Sequence, residues 1–257
     1  MKRKTICLIP ARGGSKRIKN KNTKKFFGKP LLQRVIENAK KSKLFDDIYV
    51  STDSILIKKL AIKSGAMVPY IRSKELSNDY AIIKSVIDDF IDKVILDKKE
   101  KINIFVLYPT SIFVDKNLII KCNKMLKGTE YVTALKKFPH PIQRALKFNK
   151  KKLEPLNIKK KLMRTQDLTD YYYNSGQIDC FKLEAWLKEK IFHRMNAKFI
   201  ILKDLDSIDI DTPDDLKLAY KIFELNGKKI YLINFIFFQN LNSFFKRTEI
   251  NNIICIY

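Results

Sequence analysis

The sequence predicts an α/β fold, a mostly parallel sheet covered by helices on both faces. Short apolar runs alternate with stretches whose apolar residues recur at helical spacing. Polar clusters fall where several of the apolar runs end. At 257 residues and 46% hydrophobic content, the chain suits a single domain with a packed core, with room for a small subdomain.

The elements follow in order. TICLIPA, Thr5 to Ala11, is a short apolar run that reads as a buried strand. A basic loop leads to PLLQRVIENAKK, where Leu32, Val35, Ile36 and Ala39 keep helical spacing behind Pro30. DIYVSTD is a second strand, and SILIKKLAIKSG a helix capped by Ser54 and stopped at Gly65. AMVPYI is a short third strand. Ile83, Val86, Ile87, Phe90 and Val94 mark a longer helix, and NIFVLYPT is a fourth strand. A helix near residues 115–127 leads into YVTALKKF.

Residues 138–180 break this rhythm with prolines, short strand-like pieces and a charged hairpin tip, and read as an insertion projecting from the sheet. QIDCFKLEAWLKEK returns to the domain and KFIIL adds a strand. SIDIDTPDDLKLAYKIF then turns from strand into helix through Asp211, Thr212 and Pro213, with Leu216, Ala219, Tyr220 and Phe223 on its apolar face. The domain is expected over 1–227. The tail, 228–257, is aromatic and apolar without caps or clear period, so its role stays open.

The net charge is +25, which by itself invites an acidic partner. Lysine supplies 43 of the 52 basic residues, however, and they are spread along the chain. Nucleic-acid binders concentrate charge and interleave aromatics, so these lysines read as a solvated surface and no nucleic-acid partner is expected. Cys7, Cys122, Cys180 and Cys255 form no CxxC pair, which argues against zinc or a disulfide scaffold and for a reducing cytoplasm. With two histidines the chain is poorly equipped for a histidine triad. The segment before Pro10 lacks a signal-peptide core, and no run reaches the ~18 apolar residues of a membrane span.

Three polar clusters carry candidate chemistry. IPARGGSKRIKNKN, residues 9–22, fits neither a Rossmann dinucleotide turn nor a Walker loop. It could wrap a triphosphate, with Gly13 and Gly14 allowing close backbone approach and Arg12, Ser15, Lys16 and Lys21 as donors; an ordinary surface loop is the alternative. VSTD ends the second strand, and Asp53 there could serve only to cap a helix. In DIDTPDD, Asp209 and Asp211 alternate on a strand, so both carboxylates point to one side. Like charges so placed call for a cation, and oxygen ligands favour Mg²⁺. Helix capping is the alternative for Asp211, but it leaves Asp209 unexplained.

IPARGGSKRIKNKN, VSTD, YPTS, RTQDL, NSGQ and IDIDTPDD, in this order and spacing, resemble the CMP-sialic acid synthetase (acylneuraminate cytidylyltransferase) family over about residues 5–225. PIQRALKF and YYYNSGQIDCF look closest to its pseudaminic acid branch. The resemblance implies a Rossmann-like three-layer nucleotidyltransferase fold with a small projecting dimerisation insertion, and hence a homodimer. It implies transfer of CMP from CTP to a nine-carbon 2-keto sugar acid (a nonulosonic acid), most nearly pseudaminic acid, with release of pyrophosphate. Synthetases for N-acetylneuraminic acid, legionaminic acid or KDO stay open, as does a non-catalytic nucleotide- or nucleic-acid-binding protein. Flagellin or surface polysaccharide is the implied destination of the sugar.

By the same resemblance, Arg12, Ser15, Lys16 and Lys21 match the triphosphate loop, Asn22 a nucleotide contact and Arg72 the position near cytosine. Asp209 and Asp211 match the metal ligands, while Arg164, Gln166, Asn174 and Gln177 fall where the family binds its sugar. Arg12, Lys16 and Lys21 are expected to stabilise charge on the triphosphate, and Asp211 is a possible general base. Lys19 stands where the family loop often has proline, and Tyr108 where sialic-acid enzymes often have glutamine.

Overall fold

The computed structural model describes residues 3–149 and 151–225. One compact unit spans Met1–Asp211 and a second begins at Thr212. The tail over 228–257 lies outside the described residues.

In the first unit, the strands are β1 (Lys4–Pro10), β2 (Lys25–Phe26), β3 (Lys29–Pro30), β4 (Asp47–Ser51), β5 (Ile102–Leu107), β6 (Tyr131–Lys137), β7 (Leu146–Asn149), β8 (Lys152–Pro155), β9 (Tyr172–Lys182) and β10 (Ala197–Ile201). The helices are α1 (Leu31–Lys41), α2 (Ile55–Lys63), α3 (Ile83–Val94), α4 (Lys116–Leu126), α5 (Ile158–Lys161) and α6 (Leu183–Glu189). Six strands form the central sheet in the order β10-β6-β9-β5-β1-β4. β1 runs parallel to β4 and β5, and β10 parallel to β6. β9 is antiparallel to both neighbours.

Burial explains why the apolar runs became strands. Thr5–Ile9 and all of β5 are buried, as expected for strands covered on both faces. On one face Ile6, Leu8, Ile104 and Val106 pack with Ile87, Phe90 and Ile91 of α3 and Trp186 of α6. Trp186 is fully buried and its Nε1 donates to Asp88 Oδ1 at 2.8 Å, so the ring's one polar atom is satisfied. α1 buries Leu31, Leu32, Val35, Ile36 and Ala39, the side its spacing predicts, and touches α2 and α4. Ser54 caps α2 by accepting from Ile57 N, and Asp115 caps α4 by accepting from Leu118 N.

Three expectations are corrected. AMVPYI is no continuous strand: it makes two isolated parallel bridges, Tyr49 with Met67 and Thr52 with Ile71. Pro69 lies between them and brings no N–H to a ladder. Asp209 and Asp211 do not lie on a strand either. Side chains take the carbonyls a neighbouring strand would use: Gln177 Nε2 donates to Ile208 O at 3.3 Å and Lys21 Nζ to Ile210 O at 2.9 Å. The alternation survives, with Ile208 and Ile210 buried and Asp209 exposed. Finally, β9 begins at Tyr172, so 172–180 belongs to the central sheet and only 138–171 lies between β6 and β9. That stretch carries the β7–β8 hairpin and α5, and is pinned by Gln143 Nε2 donating to Thr169 O at 2.7 Å.

In the second unit a helix runs over 213–225. Its start is a capping box closed within the unit: Asp215 N donates to Thr212 Oγ1 at 3.2 Å and Thr212 N to Asp215 Oδ2 at 2.7 Å. Thr212 is therefore the cap.

Candidate active site

β1 has β4 on one side and β5 on the other, so successive connections leave it in opposite directions. Such a point opens a crevice beyond the strands' carboxyl ends. A cleft of about 340 Å³ lies there. The loop after β1 forms one wall, residues 72–86 a second, and Tyr108, Pro109 and Thr110 after β5 with Asp209 and Asp211 a third.

The loop is held from below. Gly13 N donates to Asp53 Oδ1 at 2.8 Å, so Asp53, with Ser54 capping α2, ties the loop to the end of β4. A Cβ on Gly13 would lie 3.0 Å from Ser54 Cβ, which is why glycine suits this point. Gly14 has no neighbour within 4 Å of such an atom, so nothing packed against it requires glycine. The buried Asn22 donates from Nδ2 to Arg12 O at 2.9 Å, bracing the loop from inside.

Held in this way, the loop's cations meet two carboxylates. Arg12 Nη1 donates to Asp79 Oδ1 and to Asn78 O, each at 2.9 Å, and Lys16 pairs with the same carboxylate. Lys21 Nζ donates to Asp211 Oδ1 at 2.8 Å, and Arg17 Nη2 to Asp211 Oδ2 at 2.7 Å. Lys16 and Arg12 hold the Asp79 carboxyl below its ordinary value. For Asp211, burial alone would push the carboxyl up, but Lys21 and Arg17 outweigh it and the group sits below the usual range.

Arg72 is buried on the second wall, with Nε donating to Ser77 Oγ at 3.0 Å and its backbone N–H to Thr52 O at 2.8 Å. Burial lowers its pKa, opposed by the nearby charge of Asp53. On the third wall Thr110 Oγ1 donates to Asp209 Oδ1 at 3.4 Å, and the Tyr108 hydroxyl to Asp179 Oδ2 at 3.1 Å.

Of the residues expected from the sequence, Arg12, Ser15, Lys16, Lys21, Asn22, Arg72, Asp209 and Asp211 share the lining of this one cleft. The others do not line it. Gly13 and Gly14 are absent from the lining. Arg164 is exposed and paired with Asp167 at 2.8 Å, three residues on, and Gln166 sits in the same exposed turn. Asn174 is an exposed residue of β9 whose Nδ2 donates to Asp179 Oδ1 at 3.0 Å. Gln177 is fully buried and engaged with Ile208 O. Arg17, Asp79, Thr110 and Asp179 are additions. Arg17 lies inside the basic loop, but nothing local marks an exposed aspartate at 79 as the counterion of Arg12 and Lys16.

Among the described residues no group of three or more His, Cys, Asp or Glu side chains could hold a metal ion. The carboxylates of Asp209 and Asp211 on one cleft nonetheless fit Mg²⁺, which is commonly held by one or two protein carboxylates with substrate phosphates and water completing its shell.

A mostly parallel sheet with a cationic loop facing carboxylates across a strand-end cleft defines a protein built for nucleotide phosphates. Residues 6–237 match the family model described as cytidylyltransferase. The chain belongs to the cytidylyltransferase family, and so to the nucleotidyltransferases. It is 35% identical over 233 residues, 89% of this chain and 100% of the relative, to a pseudaminic acid cytidylyltransferase of Campylobacter jejuni. It is 30% identical to a CMP-N,N'-diacetyllegionaminic acid synthase of Legionella pneumophila, covering 88% of this chain and 98% of the relative. Among solved structures, CMP:2-keto-3-deoxy-manno-octonic acid synthetase complexed with CTP shares the fold at a TM-score of 0.62 and 15% identity, over 87% of this chain and 99% of that one.

Proposed function

We propose that the chain transfers CMP from CTP to the anomeric hydroxyl of a nine-carbon 2-keto sugar acid, pseudaminic acid, releasing pyrophosphate. The observation that carries this reading is the lining of one cleft: Arg12, Lys16 and Lys21 on the loop, Arg72 beside them and Asp209 and Asp211 opposite. The likeness to the Campylobacter jejuni relative supports the choice of acid.

Such a transfer depends on positioning and charge neutralisation more than on covalent help. Arg12, Lys16 and Lys21 bind the triphosphate, exchanging Asp79 and Asp211 for phosphate oxygens. Lys21, the most buried of these cations, neutralises charge that grows at the α-phosphate. Arg72 reads the base. Asp209 and Asp211 would hold Mg²⁺, which when bound would lower the pKa of the attacking hydroxyl and screen the phosphates. Asp211 is a poor general base, because two cations already keep its carboxyl below the usual range.

A homodimer is part of the same reading. Leu146, Phe148, Leu153, Leu156, Ile158 and Leu162 are exposed apolar side chains crowded into the stretch between β6 and β9. Among the described residues no helix is long and apolar enough to cross a membrane, and Cys7, Cys122 and Cys180 are buried free thiols, which supports a cytoplasmic setting. The CMP-sugar would serve glycosylation of flagellin or a cell-surface polysaccharide.

The test is pyrophosphate release with CTP and Mg²⁺ against pseudaminic, legionaminic and N-acetylneuraminic acids and KDO. Turnover that needs CTP and prefers pseudaminic acid is expected. Preference for another acid keeps the transfer and replaces the acceptor, and folded protein silent on all four overturns the reading.

A further inference from the structure

Behind the third wall lies a buried carboxylate that the chemistry above does not use. Asp179 is 1% exposed on β9, in register with Val106 of β5 and Thr133 of β6. Its Oδ1 accepts from Thr133 Oγ1 at 2.7 Å, from Asn174 Nδ2 at 3.0 Å and from the Tyr131 hydroxyl. Its Oδ2 accepts from the Tyr108 hydroxyl at 3.1 Å. All four donors are neutral, and among the described residues no cation pairs with this carboxylate, an arrangement that is costly to maintain when buried. Asparagine would fill the same volume without the charge.

Two of those donors lead to the cleft. Tyr108 lines it beside Thr110 and Asp209. Asn174 Oδ1 accepts from Gly176 N at 2.8 Å, bracing a bend where Gly176 has φ +64°. A Cβ on Gly176 would lie 3.3 Å from Asp209 Oδ2, so this bend abuts the carboxylate. Asparagine at 179 could keep its oxygen toward Thr133, Asn174 and Tyr131. Its NH₂ would then meet the Tyr108 hydroxyl, which would have to reverse its proton.

We infer that Asp179 is a positioning residue for the acceptor side of the cleft, holding Tyr108 and the 174–176 bend so that Tyr108, Thr110 and Asp209 keep one arrangement. This rests on the reading proposed above, in which the cationic walls take the nucleotide; the third wall, with Tyr108, Thr110 and Asp209, is then the side left for the sugar acid. Burial first, then the charges of Asp179 and Asp209, push the Tyr108 phenol up, so it stays a protonated donor.

The experiment compares Asp179→Asn, Tyr108→Phe, the two combined, and Thr133→Val, which removes a donor to Asp179 outside the cleft. Asp179→Asn and Tyr108→Phe should each lower kcat/KM for the sugar acid by about tenfold to a hundredfold while leaving CTP affinity unchanged. The combined variant should be no worse than the stronger single one, because both act through one contact. Thr133→Val, which also removes the acceptor of Asn174 Nδ2 at 3.3 Å, should lower Tm but cost kcat/KM for the sugar acid clearly less than Asp179→Asn or Tyr108→Phe. Losses that track Tm across all the variants, or that fall equally on CTP affinity, overturn the inference. If Asp179→Asn does not fold, Tyr108→Phe, which keeps the ring, decides. An active wild type with unaltered kinetics in both single variants overturns the inference alone. A wild type silent on every acid overturns the functional reading with it.

Discussion

Lys21 Nζ lies 2.8 Å from Asp211 Oδ1, closing a contact between residues 190 positions apart, and the same nitrogen reaches Ile210 O at 2.9 Å. One ammonium thus fastens the loop after β1 to the segment that carries both candidate metal ligands. In the proposed reaction it is also the group that moves from carboxylate to phosphate.

Lys21→Met should therefore lower kcat by about a hundredfold or more, the scale seen when one preorganised charge stabiliser is lost. Thermal unfolding should shift little, because Arg17 still pairs with Asp211. Steady-state kinetics beside a melting curve separate the two effects.

The Asp211 pair also sets a pH dependence. Its folded carboxyl lies below the ordinary value of 3.8, so its contribution is present above that value and is lost as the pH falls through the folded one. Wild type should exceed Asp211→Asn in urea midpoint by a constant, modest margin above about pH 5, and the margin should shrink below about pH 4. A margin that grows in acid would contradict the pairing.

The proposed Mg²⁺ site predicts a metal dependence. A chelator should abolish CTP turnover and added Mg²⁺ restore it. Asp209→Asn should raise the Mg²⁺ concentration for half-maximal rate by about tenfold or more, since even groups that only support metal ligands are worth that much. The measurement is a magnesium titration at saturating CTP.

Gly13→Ala tests how the loop is seated. The added methyl would meet Ser54 Cβ at 3.0 Å, beside the Gly13 N–H to Asp53 contact. A loss of about 1 kcal/mol or more is expected from overpacking, together with a raised KM for CTP as Arg12 and Lys16 shift. Gly14→Ala, with open space around it, should do neither.

Local chemistry determined much of this protein. Runs such as Ile6–Ile9 and Ile102–Leu107 had to be buried strands, and the spacing of Leu32, Val35, Ile36 and Ala39 had to make one apolar helix face. The basic loop and the Asp209 and Asp211 alternation were legible for the same reason, since both are patterns over a few neighbouring residues. Packing decided the rest. AMVPYI had strand composition, but Pro69 and its edge position left only two bridges. That Arg12 pairs with Asp79, 67 residues on, or Arg17 with Asp211, 194 residues on, no local pattern could announce. Nor could it show that Asp179 collects Tyr108, Tyr131, Thr133 and Asn174 from β9 itself and from its neighbours. A chain's periodicity acts over a few residues and fixes elements, whereas charge pairing acts through space and is fixed only once the sheet brings distant strand ends together.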